Sequence, residues 1–191
     1  MRTFIRSSVM AFALVGSLMV GSSLSAAPEK QVIDVAHSTL DFTAVSFLID
    51  AEGTFKTWEG EVVLDREDIT KSSVNVSIDV NSIDTRIEKR DEHLKSPDFL
   101  DAAKFPKITF KSTKIVKSGD KAFNMTGDLT IHGVTKSVTL PITIDRLQDN
   151  YSRFRAETTV SRKDFGVTYD SKLNPIEDGI KLKLTINVKK P

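Results

Sequence analysis

Apolar and polar residues alternate with a period of two along most of the chain after residue 38. This period places successive side chains on opposite faces of a strand, so one face can be buried while the other meets water. The stretch 74–80 shows the pattern most clearly, because Val74, Val76 and Ile78 share one face. Eight segments are predicted to be strands on this basis: 39–48, 60–65, 74–80, 108–116, 123–131, 138–144, 154–160 and 180–188.

The spacing of these segments predicts an all-β fold. Eight alternating strands, joined mostly by short turns, are typical of an antiparallel barrel, here with one helical insertion. Closure of the barrel would also remove the exposed edges that long strands otherwise present. A two-sheet sandwich has the same periodicity and stays open as the structural alternative.

The stretch 81–112 breaks the alternation. It contains a charged segment, 86–95, that is predicted to be helical, and three apolar residues in polar surroundings, Leu94, Phe99 and Phe105. A single helical excursion in an all-β chain usually covers the end or flank of a barrel. This stretch is therefore predicted to be the lid or side wall of a cavity, with its apolar residues facing the barrel.

Three local irregularities are predicted within the strands and turns. Glu52-Gly53 is predicted to be a turn, and Phe42 and Phe47 lie on opposite parities of the first strand, which indicates a bulge or strong bend near Val45. Pro141 has no N–H and is predicted to lie where the sheet needs no ladder hydrogen bond.

Residues 1–26 have the pattern of a cleavable signal peptide. Arg2 and Arg6 precede an apolar run at 9–20, and small residues follow it, which predicts cleavage after Ala26, with cleavage after Ser25 as the alternative. The apolar run is shorter than the roughly 20 residues that span a bilayer, so no stable membrane anchor is predicted. Residues 27–191 are predicted to form one exported domain, located in a bacterial periplasm.

Composition narrows the classes of partner. Removal of residues 1–26 leaves 165 residues and changes the formal net charge from +1 to −1, because the segment carries two arginines and no acid. A near-neutral chain with scattered charges has no electrostatic footprint for nucleic acid, so no nucleic-acid partner is predicted. The absence of cysteine excludes disulfides, thiolate catalysis and cysteine-ligated zinc.

Candidate catalytic and metal-ligating groups are sparse. His37, His93 and His132 lie in separate segments without zinc-motif spacing, so no metal site and no cofactor are predicted. The chain lacks the G-x-S-x-G nucleophile motif and a paired base, which argues against a hydrolase or isomerase that acts on a lipid. Arg162, Lys163 and Asp164 are predicted to form a salt-bridged turn at a strand end, with Asp164 as its cap.

Apolar residues on and between the predicted strands are the candidate ligand contacts. The predicted wall consists of Phe42, Phe55, Val62, Val76, Ile78, Phe110, Leu129, Ile131 and Phe165, and Leu94, Phe99 and Phe105 would close it. A small barrel can be filled by its own side chains or left hollow for one ligand. The pattern alone therefore leaves both a ligand-binding protein and an interaction module with a filled core open.

Several ordered motifs resemble those of a known family. They are His37-Ser38, Ser82-Ile83-Asp84-Thr85, Arg90-Asp91-Glu92-His93-Leu94-Lys95-Ser96, Asp98-Phe99, Phe105-Pro106-Lys107-Ile108-Thr109-Phe110, Gly127-Asp128-Leu129-Thr130-Ile131-His132-Gly133-Val134-Thr135 and Arg162-Lys163-Asp164-Phe165-Gly166. In this order, over nearly all of the chain after residue 26, they resemble the YceI-like family of exported proteins.

The resemblance implies a lipocalin-like, eight-stranded antiparallel barrel with an apolar pore. It implies that the pore holds an isoprenoid chain of the polyprenyl or quinone type, or in some members a fatty acid or its amide, for transport, storage or stress response, and that the protein is not an enzyme. The chain departs from the family where Ser46 replaces a frequent histidine, and in 167–179, where a tyrosine and a longer acidic loop occur. A homodimer is left open.

Overall fold

The computed structural model describes residues 28–191, so the predicted signal peptide and its cleavage site lie outside the described residues. The described chain is mostly strand, with one α-helix, α1 (Glu88–Lys95). The strands are β1 (Glu29–Ile33), β2 (Thr39–Ser46), β3 (Ala51–Phe55), β4 (Trp58–Leu64), β5 (Ser73–Asp79), β6 (Ile83–Asp84), β7 (Lys107–Lys117), β8 (Ala122–Ile131), β9 (Val134–Gln148), β10 (Tyr151–Ser161) and β11 (Ile176–Lys189). Short 3-10 helices are found at Val35–His37, Ile69–Lys71, Val80–Ser82 and Lys163–Phe165.

Eight strands close into an antiparallel barrel, which confirms the predicted fold class. The strand β1 was not predicted, however, and the predicted strand 39–48 corresponds to β2, which extends the ring. Hydrogen-bonded neighbours follow the order β1-β4-β5-β7-β8-β9-β10-β11, and β11 returns to β1 through the pairs Val32–Lys189 and Ile33–Val188. The remaining short strands extend this ring: β2 pairs with β11, β3 with β2, and β6 with β3. The extension follows the ring: β1 and β2 both pair with β11, β4 and β3 pair with β1 and β2, and β5 and β6 pair with β4 and β3.

The prediction of a turn at Glu52-Gly53 was wrong, because both residues lie inside β3. The chain reverses instead at 47–50, between β2 and β3. Gly53 is paired with Phe42 across the β2–β3 ladder, and a Cβ at Gly53 would come within 2.5 Å of the Phe42 ring. The glycine therefore makes room for an aromatic ring and does not form a turn.

The predicted irregularity near Val45 is present, but the extra residues lie in the partner strand. In the β2–β11 ladder Ala44 pairs with Ile180 and Ser46 with Ile176, so two steps along β2 face four along β11. Such a shift bends the sheet and lets the chain leave the barrel wall. Phe47, which follows, is 79% exposed.

Pro141 lies where no ladder hydrogen bond is needed, as predicted, because the β9–β10 ladder stops beside it. The Ile144 N–H donates to the Lys121 carbonyl at 2.8 Å, so by alternation the nitrogen of residue 141 faces β10. Pairing between β9 and β10 ends at Ile142 with Ala156, whereas the β8 ladder continues past Pro141. Residues 134–141 of β9 have no backbone pairing with β10.

The helical insertion fills a side of the barrel that the sheet leaves open. Helix α1 packs against β6, which has β3 as its one backbone-paired neighbour among the described strands. The helix starts at Glu88 and not at 86, because Arg86 adopts a positive φ of 64° and its N–H is bound by the Asp84 carboxylate at 2.8 Å. Residues 96–106 then lead to β7, and Ala102 joins the main apolar cluster.

Candidate functional site: an apolar cavity inside the barrel

The barrel interior encloses a cavity of about 660 Å³, lined almost entirely by apolar side chains from every strand of the closed ring. This volume lies within the roughly 300–1,000 Å³ that small-molecule sites occupy. The interior is therefore hollow, and the alternative of a core filled by its own side chains does not describe this barrel.

Eleven of the twelve residues predicted from the sequence line this cavity. They are Phe42, Phe55, Val62, Val76, Ile78, Leu94, Phe99, Phe110, Leu129, Ile131 and Phe165. The residues of the strands come together because period-two alternation places them on inward faces. Leu94 and Phe99 reach the cavity from the insertion, and Phe165 reaches it from the 3-10 helix Lys163–Phe165.

Phe105 is the exception, since it lies outside the cavity lining. Its ring packs against the imidazole of His132, with centroids 4.8 Å apart, and covers Gly133, where any side chain would collide with the ring. His132 and Gly133 form the turn between β8 and β9, both with positive φ. Phe105 thus anchors the insertion to this turn and does not contact the cavity.

One end of the cavity has a packed floor. Leu64 and Val188 line this end, are 2% and 0% exposed and belong to one cluster, against which Ile69 of the 3-10 helix packs. The Asp68 carboxylate caps this helix by accepting hydrogen bonds from the Thr70 N–H at 3.1 Å and the Thr70 hydroxyl at 2.6 Å. The hydroxyl hydrogen bond from Thr70 lowers the pKa of Asp68 from its ordinary value of 3.8.

Arg66 holds the loop 65–68, at this closed end, against the barrel. Its guanidinium donates to the Ser152 hydroxyl at 2.8 Å, the Gln31 amide oxygen at 3.1 Å and the Asp149 carbonyl at 3.0 Å. These acceptors lie on or beside β10, β1 and the β9–β10 turn. The loop is thereby fixed across three elements.

The opposite end is built from α1 and two loops, 47–50 and 166–175. The imidazole of His93 packs edge-on against Phe99 at 4.9 Å and against Tyr169 at 5.0 Å, and the Phe99 and Tyr169 rings are 4.7 Å apart. This aromatic cluster joins the helix to the 166–175 loop. Polar side chains in the cavity lining also lie at this end, including Ser46, Arg90, His93, Ser171 and Asn174.

Arg162 holds the 166–175 loop from inside the protein. It is 5% exposed, and it donates to the carbonyls of Glu177 at 3.2 Å, Val167 at 2.9 Å, Tyr169 at 2.7 Å and Ile176 at 3.0 Å. Backbone carbonyls satisfy the guanidinium, and residues 28–191 supply no ion-pair partner for it.

The prediction of a salt-bridged turn capped by Asp164 was wrong. The Ser161 hydroxyl accepts from the Asp164 N–H at 3.1 Å, and the Asp178 carboxylate accepts from the Lys163 N–H at 3.0 Å. Hydrogen bonds from the Ser161 side chain and the Lys163 N–H lower the pKa of Asp178 from its ordinary value of 3.8. Asp178, far along the chain, takes the capping role that sequence proximity suggested for Asp164.

Residues at both ends of the cavity escaped the sequence analysis. Ile33, Ile69, Ser46, Ile49, Tyr169 and Asn174 line it but lie at strand ends, in a 3-10 helix or in loops. No periodicity marks such positions. Ile115, Phe123 and Phe154 also line the cavity and lie in predicted strands, but they were not among the predicted contacts. For Ile115 a register shift between Ser112 and Lys114 breaks the alternation of β7.

The three histidines are dispersed. His37 contacts the Asp34 carboxylate at 2.9 Å, His93 contacts that of Asp98 at 3.0 Å, and His132 packs on Phe105. Within residues 28–191, no group of three His, Asp or Glu side chains is arranged to hold a metal ion. Over the same residues, no helix has the length and apolarity to cross a membrane.

A sequence model of the YceI-like domain matches residues 31–188 of this chain. The chain belongs to the YceI-like family. Protein YceI of Salmonella newport is 35% identical over 190 residues, which are 95% of this chain and 96% of that protein. The family resemblance drawn from the motifs is thereby confirmed.

Solved structures share this YceI-like barrel. Burkholderia cenocepacia BcnA superposes with a TM-score of 0.76 at 26% identity, covering 81% of this chain and 98% of that one. The Campylobacter jejuni YceI protein gives 0.71 at 27% identity, covering 76% and 88%. A polyisoprenoid binding domain from Saccharophagus degradans gives 0.69 at 14% identity, covering 86% and 99%, a likeness of fold alone.

Proposed function

We propose that this YceI-like protein binds one long-chain lipid of the isoprenoid type in its barrel cavity and carries or stores it in the periplasm. The observation that carries the proposal is the hollow, apolar interior of about 660 Å³. An apolar chain placed there gains roughly 25 cal/mol for each Å² removed from water and needs no polar partner along its length. The shared fold of a domain described as polyisoprenoid binding supports the same ligand class.

The cavity lining favours binding over catalysis. Its polar groups are largely engaged with the protein itself: Arg162 with carbonyls, Arg90 with Thr85, and Ser46 with Asn174. A hydrolase or isomerase would need a nucleophile or base directed at the substrate. We therefore propose a binding protein, with eleven predicted residues, without Phe105, as ligand contacts.

The direct test is mass spectrometry of organic extracts from native protein purified without detergent. We expect a stoichiometric apolar ligand with a polyprenyl or quinone mass pattern. A fatty acid or fatty amide in its place would support the alternative ligand class. Extracts without lipid in repeated preparations, together with no uptake of added prenyl alcohol, would overturn the proposal.

A matched pair of substitutions tests whether the cavity is the site. Val138 lines the cavity, whereas its neighbour Thr139 is exposed on the outer face and pairs with Thr126 at 3.0 Å. Val138→Trp should reduce ligand content severalfold by filling the cavity, while Thr139→Trp should leave it unchanged. Equal ligand content in both variants would place the ligand elsewhere.

Export to the periplasm is a separate part of the proposal, supported by the charged, apolar and small-residue regions of residues 1–26. The intact mass of the purified protein should correspond to a chain that starts at Ala27. Leu14→Arg, which interrupts the apolar run, should retain the uncleaved chain in the cytoplasm. A full-length periplasmic protein would contradict cleavage.

A further inference from the structure

The most exposed large apolar side chains of the described residues lie together at the open end of the barrel. Leu173 is 86% exposed, Phe47 79%, Ile49 73% and Leu48 65%, whereas the other exposed large apolar residues lie between 37% and 51%. The four belong to two loops, 47–50 and 166–175, that are far apart in sequence. Such clustering in a water-exposed position usually marks an interaction surface.

Hydrogen bonds between the two loops hold this group of side chains in place. The Leu48 N–H donates to the Asn174 side-chain oxygen at 2.7 Å, the Asn174 amide donates to the Ser46 hydroxyl at 3.0 Å, and the Phe47 N–H donates to the Pro175 carbonyl at 3.1 Å. The Asp50 carboxylate accepts from the Ser46 N–H at 3.1 Å. We call residues 46–49 and 173–176 the apolar rim.

The rim is continuous with the cavity wall. Ser46, Ile49, Asn174 and Ile176 belong to the rim and also line the cavity. No residue of the rim is charged, and Asp50, Lys172 and Glu177 lie at its borders. The cavity wall therefore continues into the rim through the side chains of Ile49 and Ile176, beside the exposed Phe47 and Leu173.

We propose that the apolar rim docks on the surface of a lipid bilayer, so that the mouth of the cavity meets the acyl chains directly. The inference rests on the proposed function, because a ligand with a long apolar chain would otherwise cross water between the cavity and the membrane. Insertion of aromatic and aliphatic side chains at the boundary of headgroups and acyl chains is how non-spanning proteins hold a membrane.

Size and charge favour a bilayer over a protein as the partner. Four exposed side chains present on the order of a few hundred Å², short of the roughly 800 Å² that each partner buries in a stable protein interface. A rim without basic residues has no electrostatic preference for anionic lipids. Binding should therefore occur on phosphatidylcholine vesicles and change little when phosphatidylglycerol or salt is added.

Vesicle flotation with the natively processed protein tests the proposal. We expect the wild-type protein to float with phosphatidylcholine vesicles, and the double variant Phe47→Ser/Leu173→Ser to bind at least about tenfold more weakly because two apolar anchors are lost. The control is Val116→Ser/Leu147→Ser, which replaces exposed apolar residues of β7 and β9 at the opposite end and should bind like wild type.

Measurements on the same variants separate this inference from the proposed function. Normal lipid content in the Phe47→Ser/Leu173→Ser variant, with weak vesicle binding, would support the rim and leave the cavity function intact. Equal binding of wild type and rim variant, or no binding by the wild type, would overturn the rim proposal even if extracts contain lipid. A wild-type dimer that the rim substitutions dissociate in sedimentation velocity would also overturn it, because the rim would then pair with a second copy.

Discussion

The two ends of this barrel are built by different means. At the closed end the β1–β4 and β1–β11 ladders complete the ring, and the floor residues Leu64 and Val188 are 2% and 0% exposed. At the open end the ring is completed by side chains: α1 contains no buried residue, and the aromatic cluster of His93, Phe99 and Tyr169 connects it to a loop. At the closed end the strands are joined by backbone hydrogen bonds around a buried floor. At the open end, side-chain contacts between α1 and a loop cover the cavity.

This difference follows from where the ladders stop. Strand β6 is only two residues long, and pairing of β9 with β10 ends at Ile142 beside Pro141. A segment that makes few ladder hydrogen bonds opens at lower free energy than a strand in mid-sheet. The open end should therefore be where ligand enters, and the closed end should carry most of the global stability.

The largest effect should come from the floor. Leu64→Ala should lower the free energy of unfolding by about 2–5 kcal/mol, because it leaves a void among side chains that cannot collapse to fill it. Ile49→Ala at the mouth, where the side chain is 73% exposed, should change it by less than about 0.5 kcal/mol. Urea unfolding curves measure both changes. Comparable losses of unfolding free energy would show that the two ends contribute equally to stability.

Arg162→Leu should have the next largest effect. It removes four N–H donors from backbone carbonyls and should cost about 2–4 kcal/mol, partly offset because no charge is then buried. Exposed Arg146→Leu serves as the control. Amide exchange should accelerate in 166–177 and stay unchanged at the floor. Acceleration at both ends would show that the two ends do not open independently.

Ligand binding should protect the open end more than the closed one. Amides of 85–106 should exchange rapidly in ligand-free protein and slowly in the loaded protein, while those of β7 and β8 change little. Hydrogen exchange read by mass spectrometry provides the comparison. Equal protection with and without ligand would identify the insertion as fixed wall, and entry would then have to lie at the other end.

The smallest effect concerns the Asp178 cap at the open end. Its lowered pKa means that the folded state binds the proton less readily than the unfolded state, so the carboxylate stabilises the fold above about pH 4 and this contribution is lost as the pH falls through the folded pKa. Asp178→Asn should be less stable than wild type at about pH 6, and the difference should shrink towards about pH 2.5. If the difference in stability between wild type and Asp178→Asn did not change with pH, the charge of the Asp178 carboxylate would not be its cause.

Asp68→Asn provides the matching measurement at the closed end. Asp68 also has a lowered pKa, here because the Thr70 hydroxyl donates to it, so the sign of the pH dependence is the same. Its loss should loosen the 3-10 helix of the floor and leave exchange in 166–177 unchanged. Loosening of the mouth in this variant would show that the two ends are coupled.

The sequence by itself determined eight of the eleven described strands and eleven residues of the cavity wall, whereas β1, β3 and β6 were not predicted. Period-two alternation decides which side chains share a face before any partner strand is known, so Val76, Phe110 and Leu129 could be assigned to the interior directly. The ordered motifs from His37-Ser38 to 162–166 identified the family. The positions of Leu94 and Phe99 followed from their apolarity in polar surroundings.

Only the tertiary structure decided whether the barrel is hollow, which end is sealed and what forms the mouth. Phe105 shares its apolarity with Phe99, yet it lies outside the cavity because it packs on His132 and Gly133. Leu48 and Asn174 meet across 126 residues, and Asp178, not the neighbouring Asp164, caps the Lys163 turn. Local pattern fixes the direction in which a side chain points from its strand, whereas its partner depends on how distant segments pack, and that is a property of the closed barrel as a whole.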